Sequence, residues 1–177
     1  MKAESDITRY EVYIPADELL RDYYSFDVTF RKCSECDSFG KTWACPPFDF
    51  GPKEFLGRFS GLRMIVDRID NSFAKDVGEA QDRLMTEKRR FDREMRDLEK
   101  ENPGSYALAA QECTECSTCR RQLGRPCIHP EIVRYGPESL GLYAVKLVKD
   151  KLGFDILWSD GRSIPEYYLL VAGILVK

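Results

Sequence analysis

Residues 74–102, AKDVGEAQDRLMTEKRRFDREMRDLEKEN, decide the fold. With Phe73 just ahead, Val77, Ala80, Leu84, Phe91, Met95 and Leu98 recur at three- and four-residue spacing, the period of one helical face. Lys88 is the one polar interruption of that stripe. Eight Lys or Arg and nine Asp or Glu fill the other faces between Ala74 and Glu101, and pairs such as Glu79–Arg83 and Asp92–Arg96 stand in the favourable i,i+4 order. Asn102-Pro103-Gly104 stops the helix. At 1.5 Å per residue it is about 40 Å long. One use for such a helix is to lie across a sheet; the other is to project and pair with a second copy of the chain as a homodimer.

The flanks of this helix are strand-like. Leu62–Ile69, LRMIVDRI, is rich in β-branched and aliphatic residues, and Tyr106–Ala110 is a second buried strand candidate. Upstream, Pro15 suits the first turn of a short helix over 16–24, with Leu19, Leu20 and Tyr23 on one face. Val28–Phe30 reads as a strand, and Pro52 opens another short helix to about Phe59. Downstream, Glu138–Leu152 is an amphipathic helix closed by Gly153. Phe154–Trp158, the turn Asp160-Gly161 and Tyr167–Val176 make a C-terminal strand pair. There is no internal repeat, low-complexity tract or linker. The expected fold is α/β or α+β: a single layered metal-binding domain over 1–177, a mixed sheet covered by helices, and two cysteine-rich loops at 33–47 and 113–130.

Composition narrows the function. The chain has 177 residues, 43% apolar and 32% charged, enough for one domain with a true core. Its 27 basic and 30 acidic residues leave a net charge of −3, so no basic field exists to hold nucleic acid. No apolar run reaches the roughly 18 residues of a membrane span. The start, MKAESDITRY, is charged and lacks an apolar leader region, so the expected compartment is the cytoplasm.

Seven cysteines beside one histidine are the chemical signal. In a reducing compartment, thiols at this density are metal ligands more often than disulfides. Cys113-x2-Cys116-x2-Cys119 places three thiols on a short curved loop, and Cys127 follows with Gly124, Pro126 and Pro130 to turn the chain back. Three thiolates in this step can wrap one face of an iron–sulfur cubane, with the fourth corner held from further along the chain. Zinc is the rival, although structural zinc sites usually join two separated pairs. Arg120, Arg121, Arg125 and Arg134 surround these ligands and suit an anionic cluster or the docking of an acidic redox partner.

Cys33-x2-Cys36-x8-Cys45-Pro46-Pro47 supplies three more thiols, with Trp43 and Phe48 beside the last. Two arrangements fit. In one, each segment binds its own cluster, and the first leaves an open corner. In the other, the segments meet and share ligands around one site. His129, two residues after Cys127, is a candidate to complete the three-thiol site, to hydrogen-bond a cluster sulfur or simply to cap a turn. With a single histidine a Ser-His-Asp triad is poorly supported, and no glycine-rich phosphate motif is present.

Cys33-x2-Cys36 with Phe39-Gly40, Trp43 and Cys45-Pro46-Pro47 resembles the opening of a family of predicted metal-binding, cysteine-rich proteins, domain of unknown function 2284. The Ala-rich strand into Cys113, Cys116 and Cys119, then Gly124-x-Pro126-Cys127 and Pro130, resembles its second half. Glu138, Leu140, Gly141 and Gly153-x-Asp155 continue the likeness, which runs from about residue 28 onward. The resemblance implies bound metal, iron–sulfur in kind, in an anaerobic bacterium or archaeon. It departs where an arginine is expected after Cys127 and Ile128-His129 stands instead. Three functions follow from these readings. The first is an electron relay carrying one or two [4Fe–4S] clusters at Cys113, Cys116, Cys119 and Cys127 and at Cys33, Cys36 and Cys45. The second is an enzyme or metallocentre-assembly accessory using the open corner. The third is a zinc-stabilised interaction module.

Overall fold

Four strands run antiparallel in the order β1-β2-β4-β3, with β1 Ile7–Pro15, β2 Gly61–Asp70, β3 Tyr106–Leu108 and β4 Tyr167–Val176. The computed structural model describes residues 6–177, so residues 1–5 of the charged start lie outside it. β4 is the hub: it pairs with β2 along its whole length and with β3 at Gly173–Leu175. All its residues but Val176 are buried, as expected of a strand covered on both faces.

The α+β layering agrees with the expectation, with one refinement. The expected mixed sheet is antiparallel in every pairing: the chain leaves β1 and β3 at the same end of the sheet at which it enters their neighbours β2 and β4. Strand β1 adds to the expected elements: Arg9 and Glu11 alternate with Tyr10 and Val12, the period-2 pattern of an edge strand.

The long helix α4, Val77–Glu101, lies on one face of this sheet. Ala80, Phe91 and Met95 are buried there, so the stripe is covered by the chain's own strands, whereas Phe73 ahead of it is 72% exposed. Asp76 caps its start by accepting from the Glu79 amide at 2.8 Å. Of the two expected i,i+4 pairs neither forms: Arg83 meets Asp6, Arg96 meets Glu115 at 3.4 Å, and Asp92 turns inward.

Helix α1, Ala16–Glu18, packs on β2 and runs on as a π-helical turn Leu19–Tyr23; α5, Ala144–Leu152, packs on that turn, and α3, Pro52–Leu56, on the 138–140 turn. Three further elements differ from expectation. Val28–Phe30 belongs to helix α2, Phe26–Ser34, because Phe26 and Phe30 meet one turn apart at 5.3 Å and Phe30 packs on Phe39. The helix expected over Glu138–Leu152 is split: Gly141, at φ +91°, ends a 3-10 turn, Glu138–Leu140, and a Cβ there would stand 2.7 Å from the Tyr24 ring. Phe154–Trp158 is irregular and pairs with no strand; it is a strap held by its own turn, where Asp160 Oδ1 accepts from the Arg162 and Ser163 amides, both at 2.8 Å. Its expected partner, β4, carries β2 along the whole of one edge, and the strap is tied to β4 by the Tyr167 hydroxyl rather than by a strand ladder.

Candidate metal centre

Both cysteine segments hang from elements that the sheet fixes. Cys33 ends α2, and the loop through Cys36 and Cys45 leads by a cis Pro46–Pro47 peptide to α3. Phe48 and Phe50 anchor its return by stacking at 4.9 Å and packing on Tyr135. Phe48 is therefore packing for the loop.

The second segment continues from β3. Its strand stops at Leu108, short of the expected Ala110, because the next amides bond elsewhere: Ala109 to the Tyr135 carbonyl at 3.0 Å and Ala110 to Asp92 Oδ1 at 2.9 Å. Gln111 then takes φ +60° and redirects the chain toward Cys113. Helix α4 braces this segment at several points. Asp92 holds Ala110, Glu99 accepts from the Ala107 amide at 2.6 Å and pairs with Arg134 at 2.7 Å, and Arg96 reaches Glu115.

The two segments meet. Arg121 donates to the carbonyls of Thr42, Cys45 and Pro47, and its guanidinium lies 5.1 Å from the Trp43 ring centre. Trp43 Nε1 donates back to the Arg125 carbonyl at 3.1 Å. A cleft of about 250 Å³ lies between them, lined by Asp37, Thr42 and Trp43 from the first loop and by Cys113, Cys116, Cys119 and Cys127 from the second. His129 also borders it.

All seven cysteines are free thiols, and they fall into two groups. Burial pushes the Cys33 thiol up to about 11, with Glu138, Cys45 and Cys36 adding to the rise as negative neighbours. Burial likewise raises Cys45 and Cys113. At Cys113 the Glu115 amide and the Lys88 ammonium act the other way, and Cys119 is its thiol neighbour. Thus Cys33, Cys36 and Cys45 form one neighbourhood, and the four later thiols share the cleft.

Among the described residues no three His, Cys, Asp or Glu side chains stand close enough to hold a single metal ion as placed. The donor set nonetheless suits a thiolate-bound group. Four thiols face one space, and the His129 amide donates to Cys127 Sγ at 3.3 Å, the kind of N–H···S contact that stabilises a metal-bound thiolate. The buried Thr42 side chain in the same cleft acts on the Cys45 thiol in the direction of its thiolate. His129 contributes this amide and a turn whose carbonyl accepts from Ile132 and Val133; its ring stands 3.7 Å from Glu131. Of the arginines expected around the ligands, Arg121 joins the loops and Arg134 braces α4, while Arg120 and Arg125 are exposed.

Two contributors escape motif reading. Lys88 interrupts the apolar stripe of α4 and lies fully buried beneath the second segment, a signal visible in the sequence but without a partner until the fold supplies one. Glu138, marked in the sequence only through the family likeness, reaches the neighbourhood of Cys33 because its 3-10 turn packs on α2.

No helix among the described residues is long and apolar enough to cross a membrane. Neither the curated proteins nor the solved structures include a match to this chain. A family model described as predicted metal-binding protein (DUF2284) matches residues 23–176, which takes in both cysteine segments, the helix that braces them and all of the sheet but β1. With two thiol groups gathered on adjoining loops and that match across most of its length, the chain belongs to the DUF2284 family of predicted metal-binding proteins.

Proposed function

We propose that the chain is an iron–sulfur protein whose Cys113, Cys116, Cys119 and Cys127 hold a [4Fe–4S] cluster that passes electrons to a larger redox partner. The observation that carries this reading is that all four thiols line one cleft closed on its far side by the other cysteine loop. Its volume of about 250 Å³ is many times the roughly 10–15 Å³ that one water needs, which favours a cluster over a lone zinc ion. Bound there, the cluster would supply one-electron chemistry. The chain's residues do the rest: the His129 amide donates to Cys127, Arg121 holds the first loop over the site, and Trp43 limits water. Cys33, Cys36 and Cys45 form a second site that joins the first across the Arg121 contacts.

Exposed Arg120 and Arg125 stand beside exposed Leu123 and Ile128, a basic and apolar face suited to an acidic partner protein. A homodimer through α4 is less favoured, because its apolar stripe is already buried on the sheet. The compartment consistent with unpaired thiols is the cytoplasm.

Anaerobic purification with iron, sulfide and zinc analysis and a visible spectrum tests the reading. About eight irons per chain support two cubanes, and about four support one, with the first segment empty or sharing it. Zinc without sulfide overturns the proposal. Reversible reduction of the loaded protein is expected; a cluster that accepts no electron at any accessible potential removes the relay role.

A further inference from the structure

β3 pairs only with Gly173–Leu175, so the Tyr167–Ala172 half of that edge of β4 has no strand partner among the described residues. The strap 154–159 and the side of α4 close over this open edge. Tyr167 donates from its hydroxyl to the Asp155 carbonyl at 2.9 Å and pins the strap. Between strap, helix and strand lies a second cavity of about 120 Å³, separate from the cysteine cleft.

Its lining divides by chemistry. Leu84, Ile156, Leu157, Trp158 and Val171 make an apolar wall. Glu138, Tyr168, Gln81 and Gln111 bring polar groups to the same space. Tyr168 is only 4% exposed, and its Oη has no hydrogen-bond partner. A buried hydroxyl left unpaired costs free energy that a fold seldom tolerates without reason. The Glu138 carboxyl forms part of the lining of the same space. One unpaired buried hydroxyl beside a carboxyl in a small, mostly apolar cavity describes a site for a molecule with one oxygen and an apolar body.

We propose that this cavity binds a small uncharged organic molecule, of about the size of a single six-membered ring, through one oxygen held by Tyr168 and Glu138. The size follows from comparison with cavities of roughly 150 Å³ that take up benzene. Trp158, exposed on its outer side, forms the lip over which such a ligand enters.

Calorimetric titration of the metal-loaded protein with phenol, and with benzene as its oxygen-free counterpart, tests the proposal. Wild type is expected to bind phenol saturably and at least fivefold more tightly than benzene. Tyr168→Phe should bring the two ligands to similar affinity while leaving the melting temperature unchanged or higher, since it removes only the unpaired hydroxyl. Leu84→Trp, which fills the cavity from the α4 side, should weaken phenol at least tenfold. Metal content measured on each variant separates these losses from any change at the cysteines. Absence of saturable phenol binding overturns the proposal, as does phenol affinity that neither variant alters. Equal affinity of wild type for the two ligands overturns the role of the oxygen.

Discussion

Lys88 Nζ stands 2.6 Å from Asp92 Oδ2, one helical turn away, in a position where the lysine has no exposed surface. The other Asp92 oxygen accepts from the Ala110 amide, so the pair joins α4 to the exact point where β3 becomes the second cysteine segment. The ammonium also favours the Cys113 thiolate. A lysine in an apolar stripe is thus an anchor for the loop and a counter-charge for the Cys113 thiolate.

Removing one partner of such a pair leaves the other charged and buried, which costs about 3–5 kcal/mol. Lys88→Met should therefore destabilise the protein by about that much in urea unfolding. Adding Asp92→Asn should recover most of it, because the asparagine carbonyl still accepts from Ala110 while no charge is left unpaired. A double variant as unstable as the single one would show that the lysine acts by packing instead.

A second charged network sits on the same helix. Asp67, 1% exposed, takes Arg9 at 2.6 and 2.9 Å and Arg90 at 2.7 Å, and Glu94 bonds both arginines. The hydrogen bond from Arg9 holds the Glu94 carboxyl below its ordinary 4.5. A carboxyl lowered in the folded state contributes stability above its unfolded value and loses it as pH falls through the folded one. Stability should therefore decline as pH drops below about 4.5. Glu94→Gln should flatten that part of the stability–pH curve, measured by denaturant midpoint; an unchanged slope would assign the acid sensitivity elsewhere.

Gly173 lies where β4 meets β2 and β3 together, opposite Met64 and Leu108. A Cβ there would approach the Arg63 carbonyl oxygen to 2.2 Å, and the obstacle is backbone that cannot swing aside. Gly173→Ala should cost about 3 kcal/mol or more by forcing the strands apart. Amide exchange should rise first at Leu108 and Met64. Wild-type stability in this variant would mean that the two strands separate there at little cost.

Much of the layered fold could be read from residues whose neighbours in sequence are also their reporters. Helix α4 declares its face by period, β4 by a continuous apolar run, since burial on both sides leaves no polar alternation, and β2 by its β-branched and aliphatic content. The misread elements depend on partners far away. Val28–Phe30 is helical because Phe26 and Phe39 are there to pack on Phe30, and Phe154–Trp158 is a strap held by the Tyr167 hydroxyl and by the turn at Asp160 instead of by ladder bonds. The cysteine spacing named the seven candidate thiols, but whether their segments touch is a property of the α2 and β3 placements that no spacing encodes. Lys88 and Glu138 gain their meaning in the same way.

Arg121 is the residue through which the two cysteine loops communicate. One guanidinium donates to three carbonyls of the first loop, including that of Cys45 itself, while its backbone belongs to the turn after Cys119. A planar fork can serve three carbonyls from one position, whereas an ammonium on a flexible stem cannot match that geometry. Arg121→Met should therefore leave the sheet and helices intact by circular dichroism but loosen both thiol groups together. In the metal-loaded protein, release to a chelator should accelerate at least tenfold, and both sites should lose metal at the same rate. Arg121→Lys should recover only part of the retention. If the second site keeps its metal while Cys33, Cys36 and Cys45 lose theirs, the arginine serves the first loop alone and the two sites are energetically separate.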